Sequence, residues 1–180
     1  LKRGYVLVEG QTEETFVRDV LHDHLAQAGL LLTPIILSTK RLPDDFPRLA
    51  LPQRHTCYER VASVEEAFRR SIDSARFLPY LSLHEFEALL LSDTAAIGDV
   101  LQARAIETAL EPITASFASP EEIDDGANTH PAARILALAR GYRKALHGPL
   151  AAARIGIATL REKCPHFGAW LNQLEVLASR

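Results

Sequence analysis

The segment Tyr5 to Val8 is four consecutive residues of buried-strand character, and it breaks at Glu9-Gly10. A short apolar run bounded by a turn is the pattern of a parallel strand covered on both faces. A helix is expected next. Phe16, Val17, Val20, Leu21 and Leu25 form one apolar stripe, and Gly29 ends it. Thr12 suits an N-cap, with Glu13 and Glu14 in the first turn, where the helix dipole favours negative charge. "LLLTPIIL" at 30–37 reads as a second strand, and Pro34 places it at or near a sheet edge because proline donates nothing to a ladder. "FLPYLSL" at 77–83 reads as a third strand that runs directly into the acidic segment "HEFEALLLSD".

Between these elements, "RLPDDFPRLALPQ" reads as an extended surface loop. Ser63 and Glu66 have capping-box spacing, while the row Val61, Val64, Phe68 and Ile72 suggests that the helix starts earlier. Past residue 94 the pattern becomes helix after helix. Ser119-Pro120-Glu121-Glu122 is a capping box with proline at the first helical position. "HPAARILALARGYRKAL" and "CPHFGAWLNQLEVLASR" are further amphipathic segments. The fold class expected is α/β. Residues 1–93 form a small, mainly parallel sheet flanked by helices, and 94–180 form a helical C-terminal half packed on that core rather than an independent domain.

With 180 residues and 47% hydrophobic content, the chain can bury a substantial core. There is no long apolar run and no signal-peptide pattern, so the expectation is a soluble, cytoplasmic protein with no membrane partner. Cys57 and Cys164 share no motif spacing and read as free thiols. Charge is segregated. Residues 81–128 hold 10 acidic side chains against Arg104 alone, whereas 134–180 hold 8 Lys/Arg against Glu162 and Glu175. This is either the chance segregation of solvated helix faces or an acidic, metal-binding centre beside a basic surface for a polyanion.

The turn after the first strand has one glycine and three glutamates within six residues. A phosphate-cradling loop needs more glycines and a lysine, so this turn is suited to a cation instead. Functional groups of open α/β sheets gather at the carboxyl ends of strands. Two such ends carry carboxylates here: Glu9, and the pair Glu85 and Glu87. Hard divalent cations take a few carboxylate oxygens together with water and phosphate, so Mg²⁺ (or Mn²⁺) is the expected cofactor. A lone glutamate in such a turn is equally a helix-dipole partner. His22 and His24 point to different helix faces and form no ligand pair. His84-Glu85 lacks the second histidine of a zinc helix, because position 88 is Ala88. No serine or cysteine sits in a nucleophile elbow. Lys144 and His147, in "GYRKALHGP", are placed to approach a phosphate from the basic half.

"LVEGQTEETFV" resembles the first motif of the Toprim fold, and its Glu-Gly-x-Thr-Glu form resembles the Toprim domains of overcoming-lysogenisation-defect (OLD) nucleases. With "LPDDFP", "LHEFEALLLSD", "GYRKALHGPLAAA" and "CPHFGAWL", nearly the whole chain resembles a Toprim-like family catalogued as domain of unknown function 4276. The resemblance implies Mg²⁺-dependent cutting or joining of nucleic-acid backbones, with an ATPase partner in defence against phage. On that reading Glu9 is a metal ligand or the general acid/base for the leaving oxygen. Glu85 and Glu87 bind the cation or position water, and Arg140, Arg143 and Lys144 meet the phosphate backbone of nucleic acid, DNA before RNA.

Two departures stand out. The resemblance implies a second acidic motif on a strand just before "LPDDFP", yet Lys40 is followed directly by Arg41. Asp44 and Asp45 lie beyond that point, between prolines, and are not assigned as ligands. The absence of methionine supports the expectation that a segment is missing between Lys40 and Arg41. In "NTHPAARI", Ala132 and Ala133 stand where a Ser-Lys pair is expected. Two further readings are a non-catalytic module that docks on an ATPase or on DNA, and a hydrolase of small phosphoesters using the same carboxylates.

Overall fold

The computed structural model describes residues 1–37, 56–123 and 126–179. The expected segment between Lys40 and Arg41, together with Asp44 and Asp45, lies outside the described residues. Strand β1 (Lys2–Val8) pairs in parallel with β2 (Leu30–Ile36), with Tyr5 opposite Thr33 and Val8 opposite Ile36. Between them runs one helical stretch: α1 (Gln11–Phe16), a π-helical turn (Val17–Leu21) and α2 (His22–Gln27). The apolar stripe foreseen for this stretch is its buried face, with Phe16, Val17, Leu21 and Leu25 all enclosed. Gly29 ends it at φ +94°, a left-handed conformation that glycine adopts without cost. The next residue, Leu30, opens β2.

Thr12 does not cap this helix. Gly10, in extended conformation, is the N-cap residue, and its carbonyl accepts from Glu14 N–H at 3.0 Å. Thr12 is instead buried against α8 (Lys144–Ile155). A Cβ built on Gly148 of α8 would lie 3.1 Å from Thr12 Cγ2 and 3.3 Å from Phe86 Cε1. The helix starts two residues sooner than its hydroxyl pattern suggests because tertiary packing claims the threonine.

The third strand is absent. Residues 77–83 are irregular, and the sheet has two strands among the described residues. The cause lies in how this segment satisfies its backbone. Pro79 has no N–H, Leu81 N–H goes to Glu65 Oε1 at 2.8 Å, and Glu85 N–H turns back to Leu83 O at 2.8 Å. Tyr80 turns inward and stacks on Trp170 and His166, at 4.5 and 5.1 Å between centroids. With no donor at Pro79 and that of Leu81 spent on a side chain, the segment presents no continuous row of donors to a ladder. One consequence concerns β1, which is covered on one face only. Val8 is buried, whereas Tyr5 and Leu7 are 69% and 55% exposed.

The rest is helical: α3 (Cys57–Ile72), α4 (Phe86–Leu90), α5 (Thr94–Val100), α6 (Ala105–Thr114), α7 (Pro131–Leu138), α8, α9 (Ile157–Lys163) and α10 (Pro165–Ser179). The α3 helix starts at Cys57 under a capping box made by Thr56 and Glu59, ahead of the Ser63–Glu66 spacing. Ser119-Pro120 opens only a 3₁₀ turn, Pro120–Glu122. Glu121, buried within that turn, reaches across to α10 and accepts from His166 N–H and Phe167 N–H, both at 2.9 Å. It thereby satisfies two of the orphan donors at that helix start. One hydrophobic cluster extends from Val8 and Phe16 through Leu90, Ile97, Leu110 and Ile135 to Phe167 and Leu174, so both halves of the chain enclose it. The architecture is α/β, a small parallel sheet flanked by helices with a helical C-terminal half. No helix among the described residues is long and apolar enough to cross a membrane. Cys57 and Cys164 are free thiols.

Candidate functional site

Because 77–83 is not a strand, Glu85 and Glu87 do not lie at a strand end. Glu85 is the N-cap residue of α4, and Glu87 stands in its first turn. The residue before them, His84, has φ +58°, and the Leu83–Glu85 hydrogen bond closes a γ-turn around it. Left-handed backbone at a non-glycine residue is strained, and such strain gathers at sites where a neighbouring side chain must be aimed.

Glu85, Glu87 and Lys144 meet. Lys144 Nζ donates to Glu85 Oε1 and to Glu87 Oε2, each at 3.3 Å. The remaining two oxygens are held as well. Glu85 Oε2 accepts from Ala132 N–H at 2.8 Å and lies 2.9 Å from His130 Nδ1. Glu87 Oε1 accepts from Tyr142 O–H at 3.0 Å. Glu87 is 2% exposed, so its charge sits out of water beside the lysine. Glu85 also places its charge at the start of α7, where the helix dipole favours an anion.

These contacts shift the ionisations. Burial works against the charge of Glu85, but Ala132 N–H, His130 and Lys144 outweigh it and leave the pKa below the usual glutamate value. Burial likewise opposes the charge of Lys144, and Glu87 and Glu85 overcome it to push the pKa up. Tyr142 is driven up by burial and then by the Glu87 carboxylate that its hydroxyl serves. A carboxyl with a depressed folded pKa contributes stability above its unfolded value, about 4.3, and loses it as pH falls through the folded value. The melting-temperature gap between wild type and Glu85→Gln is therefore expected to stay level from about pH 5 to 9 and to close below about pH 4. A gap that widens in acid would contradict this arrangement.

The other predicted residues take different places. Glu9 is exposed in the turn between β1 and α1, outside this network of hydrogen bonds. Three residues on, Thr12 touches Gly148, and Tyr142 Oη lies 3.5 Å from the Cβ position of that glycine, so the turn leads into the same corner. Arg140 and Arg143 are exposed on the connection between α7 and α8, on either side of Tyr142. His22 and His24 diverge, to Leu32 O at 2.8 Å and to Glu175 Oε1 at 2.7 Å. Sequence reasoning missed His130 and Tyr142. The only available signals were the spacing Tyr142-x-Lys144 and a histidine preceding a helix-opening proline.

The pair's suitability for a hard cation can be judged from its oxygens. Glu85 Oε1 and Glu87 Oε2 face one point, where the lysine ammonium stands in for a cation. Mg²⁺ uses one or two carboxylates and completes its shell with water and phosphate oxygen, so these two oxygens fit it. The Lys144 side chain is 46% exposed, so the point between the two oxygens lies near solvent. Among the described residues no group of three or more His, Cys, Asp or Glu is arranged to hold a metal ion, so protein would supply only part of the shell.

A family described as a domain of unknown function (DUF4276) matches residues 41–175. No curated protein and no solved structure matches the chain.

Proposed function

The chain belongs to the DUF4276 family, and from that premise we propose that it is a Toprim-like, Mg²⁺- or Mn²⁺-dependent nuclease acting on nucleic-acid phosphodiesters, DNA before RNA, as the partner of an ATPase in phage defence. One observation supports this above the others. Two carboxylates and a lysine separated by more than fifty positions, all singled out as phosphodiester-site residues, share one point. When bound, the cation would neutralise phosphate charge and lower the pKa of an attacking water. Glu85 and Glu87 would hold it, kept in place by His130, Ala132 N–H and Tyr142. Lys144 would meet a phosphate oxygen with its ammonium, and Arg140 and Arg143 would take flanking phosphates. Glu9, exposed on the β1 turn, would supply a further carboxylate or handle the proton of the leaving oxygen.

A specific observation also favours a second reading, a non-catalytic module docking on DNA or an ATPase. All four oxygens of Glu85 and Glu87 already have a donor within the protein, as in a purely structural network. The two are separated with full-length protein and any ATPase partner on radiolabelled DNA. Cleavage that needs Mg²⁺ or Mn²⁺, stops on chelation and is lost in Glu9→Gln supports the nuclease. Binding without cleavage under all of these conditions supports the module. In either case Arg143→Ala should reduce the slope of log affinity against log salt by about 0.7–0.9 on DNA, since one phosphate contact releases about that many counterions.

A further inference from the structure

Beside the carboxylate site a cleft of about 470 Å³ opens between the end of α5 and the connection from α7 to α8. Val100, Leu101, Ala103, Leu138 and Ala139 supply its apolar lining, and the polar lining includes Gln102 and His147. The ring of His147 packs 5.9 Å from that of Tyr142, whose hydroxyl holds Glu87. His147 thus connects the cleft to the site through Tyr142. His147 Nδ1 accepts the Arg143 N–H at 2.9 Å, so the neutral ring carries its proton on Nε2 as a donor. Burial, and then the charge of Arg143, push the His147 pKa down and keep the ring neutral. Exposed Arg104 and Arg140 adjoin lining residues in sequence and exposed Arg143 donates its backbone N–H to His147, while Asp99, next to Val100, is paired with Arg154. An apolar lining, a few polar groups and nearby cationic side chains suit a flat heteroaromatic group attached to a phosphate.

Gln102 adds an independent observation. The α5 helix closes with Gln102 N–H on Asp99 O at 3.2 Å and Ala103 N–H on Gly98 O at 2.8 Å, the two bonds of a Schellman motif. The residue in the left-handed position of that motif is ordinarily glycine, yet here it is Gln102 at φ +53°. A glutamine there carries a backbone cost that glycine avoids, and an outlier of this kind beside a cleft points to a use for its side chain.

We infer that this cleft is a nucleobase subsite, taking one base of a single nucleic-acid strand whose phosphate lies at the Glu85–Glu87–Lys144 site. The base stacks on the apolar lining and His147, while the Gln102 amide and His147 Nε2–H meet its edge. This rests on the nucleic-acid reading above. Full-length protein is titrated with a single-stranded oligodeoxynucleotide and with an abasic strand of the same length. The intact strand is expected to bind roughly 5- to 150-fold more tightly, the range for stacking of one base. The cleft-filling Leu138→Trp should erase most of that advantage and Gln102→Gly part of it, neither changing affinity for the abasic strand. Gln102→Gly should do so while melting no lower than wild type, which separates loss of a ligand contact from loss of fold. Equal affinity for the two strands, or unaltered base preference in both variants while Arg143→Ala weakens binding, would overturn the subsite and leave the nuclease reading standing. Failure of wild-type protein to bind either strand removes both.

Discussion

Lys144→Met is expected to destabilise the fold by about 1–3 kcal/mol, whereas Glu87→Gln should cost much less; if the site cuts nucleic acid as proposed, the first also lowers cleavage by at least about 10²-fold and the second abolishes it. The asymmetry follows from burial. Lys144 is nearly half exposed, but its partner Glu87 is almost wholly enclosed. Methionine keeps the length of the lysine stem and removes the charge, so it leaves a buried carboxylate facing no cation. Breaking a fully buried pair costs about 3–5 kcal/mol and an exposed one under about 1, and a half-exposed lysine belongs between them. For a chain of this size each kcal/mol is worth about 2–4 °C of melting temperature. Glutamine at 87 keeps an acceptor for the Tyr142 hydroxyl and carries no charge to strand, while Lys144 retains Glu85. The combined variant should therefore recover more than half of the stability lost in Lys144→Met alone, a coupling that a double-mutant cycle measures directly. Additive losses would mean that the lysine does not neutralise Glu87.

The same burial explains what could be read from residues in order and what could not. The β1–helix–β2 unit was legible because its periods are local. Tyr5–Val8 and Leu30–Ile36 are apolar runs, and the buried stripe from Phe16 to Leu25 needs no partner to be recognised. Segment 77–83 has the same composition as those strands and misled for that reason. Its fate was decided by Glu65, His166 and Trp170, residues distant in the chain that absorb Leu81 N–H and Tyr80. "HPAARILALARGYRKAL", recognisable only as an amphipathic segment, contains the end of one helix and the start of the next. Helix α7 ends at Leu138 and α8 begins at Lys144, and the turn between them lets Tyr142 reach Glu87. Glu85, Glu87 and Lys144 were identifiable as charged residues in suggestive positions. That they form one cluster, fixed by His130 and Tyr142, depends on the packing of α4, α7 and α8, which no local pattern encodes.

Gly168→Ala should be the most damaging of the single-methyl additions available at the glycines, by up to about 2 kcal/mol net. Gly168 lies in the first turn of α10, where the helix bends back on α9, and a Cβ there would fall 2.7 Å from the Arg161 carbonyl oxygen. That is closer than side-chain carbons approach backbone oxygen, and a carbonyl within a helix cannot rotate away. The two helices must part instead. Separation opens the layer containing Leu160, Phe167 and Leu171, all buried, and pulls Arg161 from Glu175. Overpacking of this kind costs about 1–3 kcal/mol and occasionally more, against roughly 1 kcal/mol gained from alanine's helix propensity, so the clash wins. Two other glycines are controls. Gly141 has nothing within 4 Å of its Cβ position, so Gly141→Ala should be close to neutral. Gly156 has equal room but a φ of +80°, and Gly156→Ala should lose about 1 kcal/mol through backbone strain alone. Thermal or urea unfolding of the three variants gives the order 168, then 156, then 141. If Gly168→Ala instead unfolded with Gly141→Ala, α9 and α10 would not be in the contact that seats Phe167 and Trp170 against the core.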